Sequence, residues 1–202
     1  MQGDGINRQK WINYRDAETY KNVVNGGPLY PINSLMLGGI CIADNGQPGM
    51  FEMNDKDISD EIWSFFASGT NLQELYINPH KLNKMNWDCL AAAITWAKRN
   101  ESVLADVHWV GGDPGKGEVY GFAAWSPVKA VLCLMNPSKV QKTFEVYVRQ
   151  VFEIPEGIKS DYSFYDAITA KTGLKDKLVA IGGIFKLTLQ PFEVKVMDAV
   201  RK

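Results

Sequence analysis

Hydrophobic positions in the first fifty residues alternate between helical spacing and a strand-like run. Between Arg8 and Asn25 the apolar and aromatic side chains recur near helical spacing, which predicts a helix that Gly26 ends. Residues 31–43 then form a nearly continuous apolar run that is interrupted by glycine. This pattern favours a strand that is buried on both faces.

A second strand and two more helices follow. One helix begins after its cap, Asn54, and a third helix begins at Asn86. Between them lies the stretch LQELYINPH, residues 72–80, which predicts another buried strand with Glu74 inside it. The order helix, strand, helix, strand, helix is typical of a parallel α/β sheet.

The pattern changes near Asp106. Short segments rich in Val and aromatic residues follow one another, and turn signals such as Asn136-Pro137-Ser138 separate them. The segments are DVHWV, EVYGFAAWS, AVLCLMNP, KTFEVYVRQVF, SDYSFYDAI, GIFKLTL and FEVKVMDAV. Their spacing predicts an antiparallel β-sandwich. The expected fold class is therefore α/β plus all-β, with an α/β part over residues 1–103 and a sandwich over residues 104–202.

Composition excludes several classes of partner. The chain has 22 basic and 23 acidic residues, a net charge of -1 and no run of Lys or Arg, so nucleic acid is not an expected partner. No apolar run approaches the roughly 20 residues of a membrane span, so no membrane partner is expected either. With three separated cysteines and two histidines, we expect no metal and no other cofactor.

Candidate chemistry lies at the ends of the predicted parallel strands. Glu74, Asn78 and His80 fall where α/β folds place their active sites, at the carboxyl ends of strands. Glu74 has an alternative role as a structural carboxylate paired with an arginine or with backbone amides. His80 has an alternative as an ordinary loop residue. Asp4 and Arg8 precede the first helix and are either substrate contacts or solvated partners of the helix dipole.

Four stretches of the chain resemble a known family. They are RQKWINYRDAETYKNVVNGGPLYPINSLMLGGI, LQELYINP, WDCLAAAITWAKRNESVLADVHWVGGDPGKGEVYGFAAWSP and LTLQPFEVKV. Together they resemble, in order and over nearly the whole chain, the C-terminal part of bacterial glycoside hydrolases related to the α-galactosidases, some of which are labelled "enterotoxin". The resemblance implies the last helix–strand units of a (β/α)8 barrel, up to about Asn100, followed by an antiparallel β-sandwich. LQELYINPH would be the last strand of that barrel.

The resemblance also implies a function. In the related α-galactosidases the nucleophile follows strand four and the acid/base follows strand six, so both carboxylates would lie upstream of Met1. No catalytic residue is therefore assigned, and the isolated chain is expected to be an inactive fragment. A carbohydrate is the expected substrate, with Glu74, Asn78, His80 and the pair Asp4 and Arg8 lining its side of the barrel.

Two other classes of function stay open at this point. One is a carbohydrate-binding or structural β-sandwich module without catalysis. The other is an interaction protein that associates with itself, because the strand predicted to begin near Pro31 would present an unpaired edge of apolar sheet.

Overall fold

The computed structural model describes residues 7–43, 54–158, 161–169, 177–180 and 183–201. The first part of the chain is mainly helical, with α1 (Asn7–Asn22), α2 (Asp55–Ala67) and α3 (Lys84–Leu104). The predicted cap of α2 is confirmed, since the Asn54 side chain accepts a hydrogen bond from the Asp57 N–H at 2.8 Å. Helix α3 begins two residues before the predicted Asn86, because Asn83 and Asn86 form a reciprocal capping box.

Two short strands, β1 (Ile40–Ile42) and β2 (Leu75–Ile77), pair in parallel as predicted. The prediction of a strand over residues 31–43 is wrong for most of that run. Residues 32–34 form a 3₁₀ turn instead, and the strand begins only at Ile40. That turn is held by polar contacts: the Asn33 side chain donates to the Ala105 carbonyl at 2.6 Å. Of the run, only Ile40, Cys41 and Ile42 pair with the neighbouring strand.

The two parallel strands differ in burial. Ile40 and Ile42 of β1 are completely buried, as predicted. In β2, Leu75 is 43% exposed and Tyr76 is 54% exposed, so the prediction of a buried strand is wrong there. The reason is that β2 pairs only with β1 among the described residues, which leaves its other edge uncovered.

The second part of the chain is antiparallel β-structure, as predicted. A six-stranded sheet has the order β3-β4-β5-β10-β7-β8, and β6 pairs separately with β9. The strands are β3 (His108–Gly111), β4 (Tyr120–Trp125), β5 (Lys129–Met135), β6 (Lys142–Tyr147), β7 (Asp161–Asp166), β8 (Lys177–Ala180), β9 (Ile184–Leu189) and β10 (Val194–Arg201). The pattern missed β8, and the segment KTFEVYVRQVF stops being a strand at Tyr147 because a helical turn, α4 (Val148–Val151), follows.

Both faces of the six-stranded sheet are covered. On one face, Tyr120, Phe122 and Val196 belong to the same apolar cluster as Phe65 of α2 and Trp96 of α3. On the other face, a second apolar cluster joins the larger sheet to the β6–β9 pair. Its members include Leu132, Leu134, Met197, Val146, Phe185 and Leu189. One apolar core therefore continues from the helices into the sheet. The barrel, the sandwich and the division at residue 103 stay predictions.

Candidate functional site

One face of the β1–β2 pair is turned away from the helices. Ile40 and Ile42 pack into the helical core, so strand alternation places Cys41 on the opposite face, and Tyr76 lies beside it in the parallel register. The Tyr76 hydroxyl donates to Glu74 Oε2 at 2.9 Å. This hydrogen bond, together with the charge of the carboxylate, raises the pKa of Tyr76. Glu74 and Tyr76 therefore share a face, in agreement with the predicted alternation.

Glu74 does not lie at the carboxyl end of its strand, so that prediction is wrong. β2 is shorter than the apolar run suggested, and Glu74 precedes it while Asn78 follows it. At ~3.3 Å per residue, these two positions are about 13 Å apart along the strand. The Glu74 carbonyl accepts from the Ile40 N–H at 3.2 Å, which fixes this residue at the amino end of the pair.

Asn78 and His80 lie where they were predicted, directly after β2. The Asn78 N–H donates to the Ile42 carbonyl at 2.7 Å, and its side-chain oxygen accepts from the His80 N–H at 3.1 Å. Asn78 thereby caps the 3₁₀ turn Pro79–Lys81. His80 is exposed at the same end of the strand. A role in substrate binding stays a prediction for both residues.

Arg8 was predicted to precede the first helix, and this is wrong. It lies in the first turn of α1 and is completely buried. Its Nε donates to Glu61 Oε2 at 2.5 Å, so Arg8 is the partner of a buried carboxylate of α2. Glu61 Oε1 accepts from the Cys41 N–H at 3.0 Å. The pair thus ties α1, α2 and β1 together. Asp4 lies outside the described residues.

A second buried ionic group joins α1 to the antiparallel sheet. Arg15 donates to both carboxylate oxygens of Asp16, at 2.7 and 3.1 Å. The Tyr120 hydroxyl of β4 donates to Asp16 Oδ2 at 2.8 Å. Burial raises the pKa of Tyr120 well above its usual value, and the negative charge of Asp16 adds to the effect. This phenol therefore acts as a neutral donor.

The sequence interpretation missed both buried carboxylates, although a signal was present. Glu61 lies three residues after Ile58 and four before Phe65, on the apolar face of α2. Asp16 lies four residues after the buried Ile12, on the apolar face of α1. A charged residue at such a position must be paired when it is buried. The spacing could have identified them as members of an internal ion pair.

The chemistry open to these residues is limited. Within residues 37–43 and 72–82, Glu74 is the only carboxylate, whereas glycoside hydrolysis generally uses two carboxylates ~5 to 10 Å apart across the scissile bond. Glu61 is nearby but inaccessible, and burial raises its pKa against the opposing effect of Arg8. In the described ranges no group of His, Cys, Asp or Glu could hold a metal ion, and no helix has the length and apolar character of a membrane span.

Two grooves lie near the strand pair. A groove of about 290 Å³ runs between α3 and the loop after α2, lined in part by Gln73, Lys98 and Glu101. A shallower groove of about 380 Å³ runs along α1 beside Gly38, with Trp11 in its wall. Of the predicted substrate residues that the structure describes, namely Glu74, Asn78, His80 and Arg8, none lines either groove. The candidate site is therefore the open strand surface and the turn after β2.

The chain matches no known protein-family model and no curated protein sequence. Its fold is similar to that of solved glycoside hydrolases. An α-galactosidase from Saccharomyces cerevisiae matches 76% of this chain with a TM-score of 0.56 and 12% identity, and 45% of that enzyme is covered. A structure of α-galactosidase from the same yeast with raffinose gives a TM-score of 0.54 at the same identity and coverage.

A third structure, a proposed α-N-acetylgalactosaminidase from Bacillus halodurans, matches 78% of this chain with a TM-score of 0.56 and 13% identity. The chain spans only 34% of that protein. It therefore covers between about a third and under half of the length of these structures. At such low identity the similarity establishes a shared fold over most of this chain.

Proposed function

We propose that this chain is the C-terminal part of an α-galactosidase-like glycoside hydrolase and acts on glycosidic bonds only together with the part that precedes it. The observation that carries the proposal is the similarity of fold to yeast α-galactosidase, which covers 76% of this chain. The helices with β1 and β2 would be the last helix–strand units of the barrel. The antiparallel strands would be the sandwich that follows it.

The placement of the polar residues supports this assignment in part. In a parallel barrel the substrate binds at the carboxyl ends of the strands. Asn78 and His80 are at that end of β2, and we assign them substrate contacts, together with Asp4. Glu74 and Tyr76 would form the adjoining inner wall. Arg8 would support the strand end through Glu61 and would not touch the sugar.

Catalysis by the isolated chain is not expected. The described strand ends supply a single carboxylate, Glu74, and the hydrolysis of a glycosidic bond generally needs two. The 202-residue chain should therefore show no turnover of an aryl α-galactoside. A longer protein that fuses this chain, in frame, to the sequence encoded upstream of Met1 should hydrolyse the same substrate.

The two proteins together decide between the alternatives. Turnover by the 202-residue chain alone would show that it carries its own carboxylate pair and would overturn the fragment assignment. A folded but inactive fusion, tested on aryl α-galactosides and on aryl α-N-acetylgalactosaminides, would overturn the hydrolase assignment. If the isolated chain bound raffinose while the fusion stayed inactive, the chain would be assigned as a carbohydrate-binding module and not as part of a hydrolase.

Substitutions in the fusion test the individual residues. His80→Ala should raise KM with little change in thermal stability, because its side chain is exposed in the turn after β2. Asn78→Ala should also raise KM, and it should lower stability by about 1 kcal/mol because the Asn78 side chain caps that turn. Lys98→Ala, on the outer side of α3, is the control and should leave KM unchanged. Glu74→Gln should weaken substrate affinity at unchanged stability if the inner wall contacts the sugar. Loss of stability alone would assign Glu74 a structural role through Tyr76.

A further inference from the structure

The loop that follows α1 places an asparagine directly before a glycine. Asn25 and Gly26 belong to a short 3₁₀ turn, Val24–Gly26, and both residues are exposed. A Cβ atom added to Gly26 would meet no other atom within 4 Å, so the space beside its backbone is open. The side-chain amide of Asn25 is therefore followed in the chain by a backbone nitrogen that no side chain shields.

This turn has few contacts to hold it. The Gly26 N–H donates to the Val23 carbonyl at 3.1 Å, and the Gly27 N–H donates to the Val24 carbonyl at 3.3 Å. No residue of the turn is buried, and no side chain caps it. A segment with exposed backbone hydrogen bonds and no buried side chain opens locally at little cost in free energy. Opening frees the nitrogen of Gly26.

We propose that Asn25 is a modification site, at which the chain deamidates spontaneously through a cyclic imide. The Gly26 nitrogen gives up its proton to the solvent and bonds to Cγ of Asn25, while the bond from Cγ to the side-chain nitrogen breaks and ammonia leaves. Water then opens the imide at either of its two carbonyls, which produces aspartate or isoaspartate. The net reaction consumes one water and releases one ammonia. The inference does not depend on the proposed function.

Exposure and a small following residue coincide at Asn25. Asn33 also precedes a small residue, Ser34, but it is buried and its side chain donates to the Ala105 carbonyl at 2.6 Å. Asn71 is exposed but precedes Leu72, whose side chain crowds the attacking nitrogen. Among the asparagines that the structure describes, Asn25 is the one that glycine follows.

The modification changes the charge and the backbone at the end of α1. Each product adds one negative charge to a chain whose net charge is -1. That charge lies just beyond the last residue of the helix, Asn22, where the helix dipole disfavours a carboxylate. Isoaspartate also lengthens the main chain by one carbon, so the hydrogen bonds of the 3₁₀ turn no longer fit. We therefore expect the last turn of α1 to fray in the modified chain.

Peptide mapping of the folded chain tests the proposal. After incubation at pH 7 and at pH 9, tandem mass spectrometry of the tryptic peptide 22–56 assigns the mass increase to Asn25 or to the second Asn-Gly pair, Asn45-Gly46, which lies outside the described residues. Asn25 should deamidate at least about tenfold faster than Asn71, because glycine leaves the nitrogen unshielded, and faster at pH 9 than at pH 7. If Asn25 stayed intact in the folded chain while it deamidated in urea, the proposal would be overturned.

A substitution tests the route through the imide. Gly26→Ala fits the folded chain without a clash, and its methyl group should slow deamidation of Asn25 about tenfold by crowding the nitrogen. The rate at Asn71 should not change, which makes it the internal control. The product at Asn25 should be a mixture of isoaspartate and aspartate, which elute separately. An unchanged rate in Gly26→Ala, or aspartate alone, would contradict the proposal. Circular dichroism verifies that the variant is folded.

Discussion

The helical part of the chain and the antiparallel part bury different kinds of side chain. Among the described residues between 7 and 104, six buried residues are charged: Arg8, Arg15, Asp16, Asp57, Asp60 and Glu61. In the described residues after 104, the buried polar side chains are those of Asn136, Ser138 and Ser163, and none carries a charge. The helical part thus buries charged side chains that are held by ion pairs such as Arg8–Glu61 and by polar contacts, while the sheet is held by apolar packing on both faces.

The difference follows from geometry. The six-stranded sheet satisfies its backbone groups within the ladder and buries apolar side chains on two sides, so it needs few polar contacts. Helices α1 and α2 instead join each other, the short parallel pair and one face of this sheet through their side chains, and several of these side chains are charged. A buried charge is costly unless it is paired, and removing one partner is far more costly than losing an exposed ion pair. We therefore expect the helical part to depend on charge and on pH.

The largest expected effect comes from Glu61→Ala. It removes the carboxylate from the buried Arg8 and the acceptor from the Cys41 N–H, which should lower the free energy of unfolding by about 3–5 kcal/mol. Urea denaturation of the two proteins measures this change. Glu145→Ala is the control, because Glu145 pairs with Lys186 at the surface at 2.7 Å and its loss should be much smaller. Equal losses in the two variants would contradict a special role for buried charge.

The second effect depends on pH. Burial raises the pKa of Asp60 from 3.8 to about 6, against the opposing attraction of Lys56. The folded state therefore favours protonated Asp60, so its contribution to stability is complete below about pH 4 and is lost as the pH rises towards 6. The loss should be about 2–3 kcal/mol. Asp60→Asn should remove this decline and raise stability at pH 8.

Unfolding free energies measured from pH 4 to pH 8 check this expectation. The difference between the two proteins isolates Asp60 from Glu61 and Asp198, whose pKa values are also raised by burial. Asp88→Asn, at an exposed position on α3, should follow the unmodified protein at every pH. Parallel curves for the Asp60 variant and the unmodified protein would refute the assignment.

Regular elements with strong local signals could be predicted from the sequence. The cap and apolar face of α2, the parallel pairing of β1 with β2 and the antiparallel second part all follow from local patterns. Local patterns failed where tertiary contacts decide. Asn33 holds residues 32–34 in a turn by bonding to Ala105, 72 residues away, and no spacing rule anticipates that contact.

The candidate site was predicted only in part. Asn78 and His80 could be located because Asn-Pro is a strong signal for the end of a strand. Glu74 was misplaced because the strand is only three residues long, and an apolar run does not reveal how much of it pairs. The partner of Arg8 could not be predicted, since Arg8 and Glu61 lie on different helices and are 53 residues apart in sequence.

A smaller effect is expected where the two parts of the molecule meet. Tyr120→Phe removes the hydroxyl that donates to Asp16 across the junction between β4 and α1, and it leaves the buried carboxylate with one donor fewer. The unfolding free energy should fall by about 1–3 kcal/mol. Tyr147→Phe, which removes an exposed hydroxyl bound to Glu145, is the control and should change little. An unchanged stability in Tyr120→Phe would show that Arg15 alone satisfies Asp16.

The smallest effect is expected at the start of α2. The Asn54 side chain accepts from the Asp57 N–H and donates to Asp57 Oδ2, both at 2.8 Å, so it caps the helix that carries Glu61 and Asp60. Asn54→Ala should cost about 1 kcal/mol, measured by urea denaturation, while Asn54→Ser should restore most of it because a hydroxyl can cap in the same way. If Asn54→Ala also abolished the pH dependence assigned to Asp60, the cap and the buried charges would be one coupled unit. Additive changes in the double variant with Asp60→Asn would instead show that the cap and the buried Asp60 affect stability independently of each other.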